Sequence, residues 1–288
     1  MNNQFFQISH TALVIISGLV LAQGFFALQP ALDLGKTIIL SAIKGAVQLT
    51  LLATVLTWIF AHPTWYAQAL VITIMMFVAV RTILKRMNNH FPNKKRSVTL
   101  SLCLSVFPVA LVGVALIQPN FWKYPSLFLP LFGMILGNSM NGIALGIERF
   151  MEEIKTSRLG LINQLSLGAT PQEATAEAFR KSLRAATTPI LNTMSVVGIV
   201  SLPGMMSGQI LAGGSPLEAS KYQIYIIFLV FLSVFIGSLL GMIMARNKIM
   251  GPSSRYFYKP IPSEVLLLLA HPFHHRLFLW PFQQFSGH

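Results

Sequence analysis

An all-α, polytopic integral membrane protein of about seven transmembrane helices is what this sequence predicts, and three observations carry that reading. Of its 288 residues, 54% are hydrophobic and only 10% are charged, against about 25% charged in an ordinary soluble domain. Mean hydropathy is +0.65. Apolar stretches of about twenty residues, long enough to cross a hydrocarbon core, recur along the whole chain. A soluble globule, intrinsic disorder, collagen and a disulfide-stapled secreted fold are excluded. The lone Cys103 lies inside an apolar run, which leaves no disulfide framework and no cysteine-based metal site.

The spans fall at 11–28, 37–60, 66–84, 98–117, 125–147, 189–212 and 219–245. The first lacks a basic n-region and an A-x-A-like cleavage site, so it reads as a retained helix. In the sixth, GIVSLPGMMSGQILAGG sets Pro203 among Gly198, Gly204 and Gly208, which predicts a kink or re-entrant turn. Ser215-Pro216-Leu217-Glu218 reads as a capping box with proline at the first helical position, giving the seventh span a defined start.

Orientation follows from the basic residues. Lys and Arg outnumber Asp and Glu by 21 to 8, which in a membrane protein reports topology, not nucleic acid. With the N-terminus outside, the outer segments hold only Lys123 and Lys221, Lys44 lies within span two, and the other 18 of 21 fall inside. The chain is therefore expected N-outside and C-inside.

The segment 148–188 between spans five and six is the most informative. Ile147, Phe150, Met151, Ile154, Leu161, Ile162 and Leu165 recur at helical spacing between charged residues, describing an amphipathic cytoplasmic extension of span five. Gly168 stops it. Thr170-Pro171-Gln172-Glu173 then reads as a capping box opening a second helix that carries Ala174, Ala178, Phe179 and Leu183 towards Pro189. The expected product is a cytoplasmic helical hairpin.

Leu165-Ser166-Leu167-Gly168-Ala169-Thr170-Pro171 resembles the L-x-L-G-A-[ST] core by which ABC importer permeases dock on their ATPase subunits. That resemblance gives Leu167, Gly168, Ala169, Thr170 and Pro171 a coupling role. Together with GNSMNG at 137–142 and SLPGMMSGQILAGGSPLEASKYQI at 201–224, it makes residues 8–250 similar to the FetB-type permease family. These are membrane subunits of proposed bacterial iron exporters, related to plant aluminium-tolerance half transporters that are associated with UDP-glucose. The resemblance implies a permease domain over 1–250 and an inner-membrane location. It further implies a cytoplasmic ABC ATPase partner that binds the ATP, no cofactor in this chain, and a second copy of the chain. The 251–288 tail departs from the family.

Polar residues at membrane depth are costly against lipid. Asn138, Ser139 and Asn141, with Pro203, Gly204, Met205, Met206, Ser207 and Gln209, are candidates to line a translocation path; interhelical hydrogen bonding is the alternative. Lys44, Gln48, Asn192, Thr193 and Ser195 should likewise face the bundle. Met134, Met140 and Met194, with Met205 and Met206, offer either thioether ligands for a soft metal or flexible packing. The metal ligands stay unassigned. All eight acidic residues map to loops, so oxygen ligands for bare iron are scarce in the membrane. The stripes Gly133-xxx-Gly137, Gly142-xxx-Gly146 and Gly237-xxx-Gly241 suit close helix approach, within the chain or with a second copy.

Asp33-Leu34-Gly35-Lys36-Thr37 ends like a phosphate-binding loop, but Pro30 replaces its first glycine and two spans flank it, so it reads as a basic loop. No nucleophile-base pair supports an enzyme. In the tail, Pro272 and Pro281 interrupt a short apolar run, suggesting an interfacial anchor, and Pro272 spoils helical spacing among His271, His274 and His275. Three functions remain: a metal-exporting ABC permease, a nucleotide-sugar ABC permease, and an ATP-independent secondary transporter. The last is disfavoured by the lack of membrane carboxylates.

Overall fold

The computed structural model describes residues 9–29 and 34–250. These are almost wholly helical: α1 (His10–Phe26), α2 (Gly35–Ala61), α3 (Trp65–Arg86), α4 (Lys94–Ile117), α5 (Pro125–Thr156), α6 (Arg158–Ser166), α7 (Pro171–Ala174), α8 (Ala176–Val196), α9 (Gly204–Leu211) and α10 (Pro216–Ile249). A 3-10 turn at Phe121–Lys123 precedes α5. The C-terminal tail, with its expected anchor and histidines, and the 30–33 connection lie outside the described residues.

Five helices, α2 to α5 and α10, are long and apolar enough to cross a membrane. The expected span one is the 17-residue α1, about 26 Å at 1.5 Å per residue. The expected span six is not one helix. It ends at Val196, turns through residues 197–203 and resumes as the 8-residue α9. The expected count of seven thus resolves into five long helices, a shorter one and a broken one. Gly198, at φ +84°, supplies the left-handed backbone of the break, and Pro203, with no N–H to give a continuing helix, becomes the N-cap of α9.

The core is built around α5 and α10, which run parallel. An added Cβ at Gly237 would lie 2.7 Å from Ser105 Oγ and 2.9 Å from Ile143 Cδ1, one at Gly142 2.7 Å from Val234 Cγ1, and one at Gly146 3.1 Å from Ala186 Cβ. Two of the three glycine stripes, 142/146 and 237/241, therefore serve packing inside the chain. At Gly113 the approach of Leu229 is closer still, 2.4 Å, and Tyr225 Oη donates to the Gly113 carbonyl at 2.7 Å.

The α1–α2 hairpin stands apart. Gly24 and Gly35 let its two helices meet, with the Gly35 amide donating to the Ala27 carbonyl at 3.0 Å. Gly35 is thus a helix-packing position. Beyond this hairpin, α2 buries little except Ile59 near its C-terminal end. Lys44 and Gln48, expected to face the bundle, are exposed on α2. That helix is apolar on every side, so no stripe directs those two residues inward.

Candidate functional site

Three regions compose the candidate site: the corner of the hairpin, a strap behind it, and a polar flank at membrane depth.

The α5 helix runs unbroken to Thr156, and α6 continues the extension. The predicted apolar stripe is buried at Ile147, Phe150, Met151, Ile154 and Leu161. At the corner, Gly168 adopts φ +91°. Its amide donates to the Leu165 carbonyl at 3.1 Å and the Ala169 amide to the Gln164 carbonyl at 3.0 Å, the paired bonds of a Schellman ending. The capping box at Thr170 is complete. The Glu173 amide donates to Thr170 Oγ1 at 3.3 Å, while the Thr170 amide and hydroxyl each donate to Glu173 Oε2 at 2.8 Å. Those hydrogen bonds, the backbone one foremost, hold the Glu173 carboxyl below its ordinary range. Both turns therefore stiffen the corner. Leu167 projects from it 89% exposed.

The second helix of the hairpin is divided, α7 giving way at Thr175 to α8. An exposed ladder joins α8 to α5: Lys181 pairs with Glu177 at 2.8 Å and reaches Glu153 at 4.0 Å, and Arg149 pairs with Glu152 at 3.2 Å. Such pairs contribute little each. Only Lys181–Glu153 crosses between the two helices; their register is set by packing, as at Gly146 against Ala186. At the far end of the bundle, the expected capping box at Ser215 does not form. Ser215 makes no cap bond, and Glu218 instead bonds Lys221 at 2.8 Å.

The strap was missed in the sequence. The Asn88 amide donates to Glu148 Oε1 at 3.3 Å, and Lys155 Nζ donates to Asn89 Oδ1. Lys94 Nζ donates to the Met87 carbonyl at 2.7 Å. The turn between α3 and α4 is thereby fastened to the hairpin's root. Its signal was Glu148 itself, an acidic residue directly at the end of span five.

At membrane depth, Ser139 is buried and donates to Ser233 Oγ at 2.7 Å. Asn138 and Asn141 lie exposed on α5 beside Leu145. Asn138 donates back to the Met134 carbonyl at 2.8 Å, and Arg86 donates to Asn141 Oδ1. Thr188, Asn192, Thr193 and Ser195 are exposed on α8, while Met205, Met206, Ser207 and Gln209 are half-buried on α9. The structure joins the α5 and α8 residues on neighbouring helices and carries the α9 group on the far side of the break. Among the described residues, no group of three or more His, Cys, Asp or Glu could hold a metal ion.

A helical bundle with five membrane-length helices and a capped, outward-pointing hairpin defines a multi-pass membrane protein. The chain belongs to the uncharacterised protein family UPF0014, whose model matches residues 10–250. The UPF0014 membrane protein slr1647 of Synechocystis sp. is 39% identical over 191 residues, covering 66% of this chain and 74% of that one. The "Probable iron export permease protein FetB" of Escherichia coli is 29% identical over 241 residues, covering 84% and 92%. The protein ALUMINUM SENSITIVE 3 of Arabidopsis thaliana is 31% identical over 199 residues, covering 68% and 70%. No solved structure matches the chain.

Proposed function

We propose that the chain is the membrane-spanning subunit of an ABC transporter, working as a pair of copies and powered by a separate cytoplasmic ATPase. The carrying observation is the 167–171 corner. Its Schellman ending and capping box hold Leu167 out in solvent, as an apolar knob for a groove on another protein would be. Residues 1–250 form the permease and 251–288 an appended tail. The N-terminus lies outside and the hairpin in the cytoplasm of a cell whose inner membrane holds the protein, as the basic residues require. The transported solute is a metal, iron by the name of the Escherichia coli relative.

The path runs along the flank of Asn138 and Asn141 and past the segment from Pro203 to Gln209. Ser139 supports it from behind through Ser233.

The test is Gly168→Arg, which puts a bulky cation at a φ of +91° in open space. The variant should insert normally but lose co-purification with the ATPase and substrate-stimulated ATP hydrolysis. Wild-type binding and stimulation would overturn the coupling role and favour a secondary transporter. A panel of metals and nucleotide sugars in the same ATPase assay separates the two ABC readings.

A further inference from the structure

The break between α8 and α9 lies near the middle of the membrane. An added Cβ at Gly146 would lie 3.1 Å from Ala186 Cβ, and α5 and α8 run antiparallel. Val196, ten residues beyond Ala186, is therefore level with Leu136, eleven residues inside the start of α5 at Pro125. That is about 16 Å at 1.5 Å per residue, half of a ~30 Å hydrocarbon core.

What lies at that depth suits neither lipid nor water. Among the described residues, the amides of Gly198 to Ser201 close onto the carbonyls of Val196 and Ser201, but the carbonyls of Val197 to Val200 accept no hydrogen bond. Non-helical backbone at membrane depth is tolerated only inside protein or beside a water-filled cavity. An open water-filled cavity would account for the carbonyls but not for the side chains, since Ile199, Val200 and Leu202 are 88%, 78% and 66% exposed; a narrow path that those side chains close accounts for both. The surface that fits is a protein surface, apolar and at the same height. A second copy related by a two-fold axis along the membrane normal brings the same three residues to the same height. The loop also continues the Thr188, Asn192 and Ser195 edge of α8, an open polar wall that needs a facing wall to enclose a path.

We propose that residues 197–202 form an apolar seal, Ile199, Val200 and Leu202 of one chain meeting those of a second copy near mid-membrane and closing the path between them. The seal's role rests on the transport reading; the contact does not. Hydrophobic constrictions of this kind close a pore by excluding water. Gly198, at φ +84°, turns the chain at the start of the segment, and Pro203 follows it as the N-cap of α9.

The experiment uses the full chain with Cys103→Ser, carrying Ile199→Cys, or Leu104→Cys as an exposed control on α4. Under copper-phenanthroline oxidation in native membranes, Ile199→Cys should convert most of the chain to a disulfide-linked dimer and Leu104→Cys little of it. No dimer with Ile199→Cys or with Val200→Cys overturns the proposal, whatever the ATPase does. In the second arm, the chain without ATPase is reconstituted in liposomes holding pyranine. Val200→Asn should raise proton leak roughly tenfold over wild type. Cross-linking without added leak overturns the seal. Pyranine requires no knowledge of the solute, and neither arm needs the ATPase, so loss of the transport reading would be seen separately in the Gly168→Arg assay.

Discussion

The Asn89 side-chain amide donates to Glu148 Oε1 at 3.2 Å, across the gap between the α3–α4 turn and the root of the hairpin on α5. With Lys155 on its other side, Asn89 is gripped from two points about two turns apart on the helix that continues into the hairpin. The root of the hairpin is thereby tied to the α3–α4 turn as well as to α5.

Glu148→Ala would leave the Asn88 amide and Asn89 amide group without their acceptor. Asn88 is exposed and can turn to water, but leaving the buried Asn89 donor unpaired costs about 1–3 kcal/mol. The apparent Tm in detergent should fall by several degrees, and Glu148→Gln, which keeps an acceptor oxygen, should recover part of the loss. An unchanged Tm for the alanine variant would show that the strap bears no load.

Ser139 and Asn141 should separate cleanly. The Ser139–Ser233 hydrogen bond is internal packing, worth roughly 0.6 kcal/mol by comparison with other membrane proteins, so Ser139→Ala should transport normally with a slightly lower Tm. Asn141→Leu removes a polar group from the exposed flank and the acceptor of Arg86. Transport should drop while expression holds. Equal behaviour of the two variants would count against the path assignment.

The capping box carries a pH dependence of defined sign. Hydrogen bonds from Thr170 lower the Glu173 pKa in the folded chain. Its stabilisation is complete at neutral pH and disappears as pH falls through that lowered pKa, below the ordinary glutamate value of about 4.3. Amide exchange over residues 168–176, corrected for intrinsic rate, should therefore rise on going from pH 6 to pH 3. Glu173→Gln should flatten that rise.

Orientation is checked by single cysteines in a Cys103-free background. Cysteines replacing His90 or Gly160 should resist an impermeant reagent applied to intact cells and react after lysis. Reaction from outside would invert the topology.

Much of this fold was legible because helix signals are local. The apolar stripe from Ile147 to Leu161, the glycine stop at 168 and the box at Thr170 each depend on residues within two turns, and each formed as read. The box at Ser215 had the same pattern and did not form: Ser215 makes no cap bond, and the Glu218 carboxylate bonds Lys221, one turn on. Polar direction was the least legible property. Ser139 and Asn138 are adjacent and chemically similar, yet one is buried against Ser233 and the other exposed. Which of them turns inward is set by where α10 lies, and that is fixed by residues about ninety positions away. Asn89 was invisible for the same reason.

The separateness of the first hairpin bears on how the chain is made. Its glycine contact at Gly24 and Gly35 needs only sequence that leaves the ribosome first, so α1 and α2 can dock before α3 is synthesised. The remaining helices close their core around α5 and α10 with little from α2 beyond Ile59. The gene should therefore tolerate being cut between these units: residues 1–62 and 63–288, translated from separate messages, should find one another in the bilayer and rebuild the intact protein.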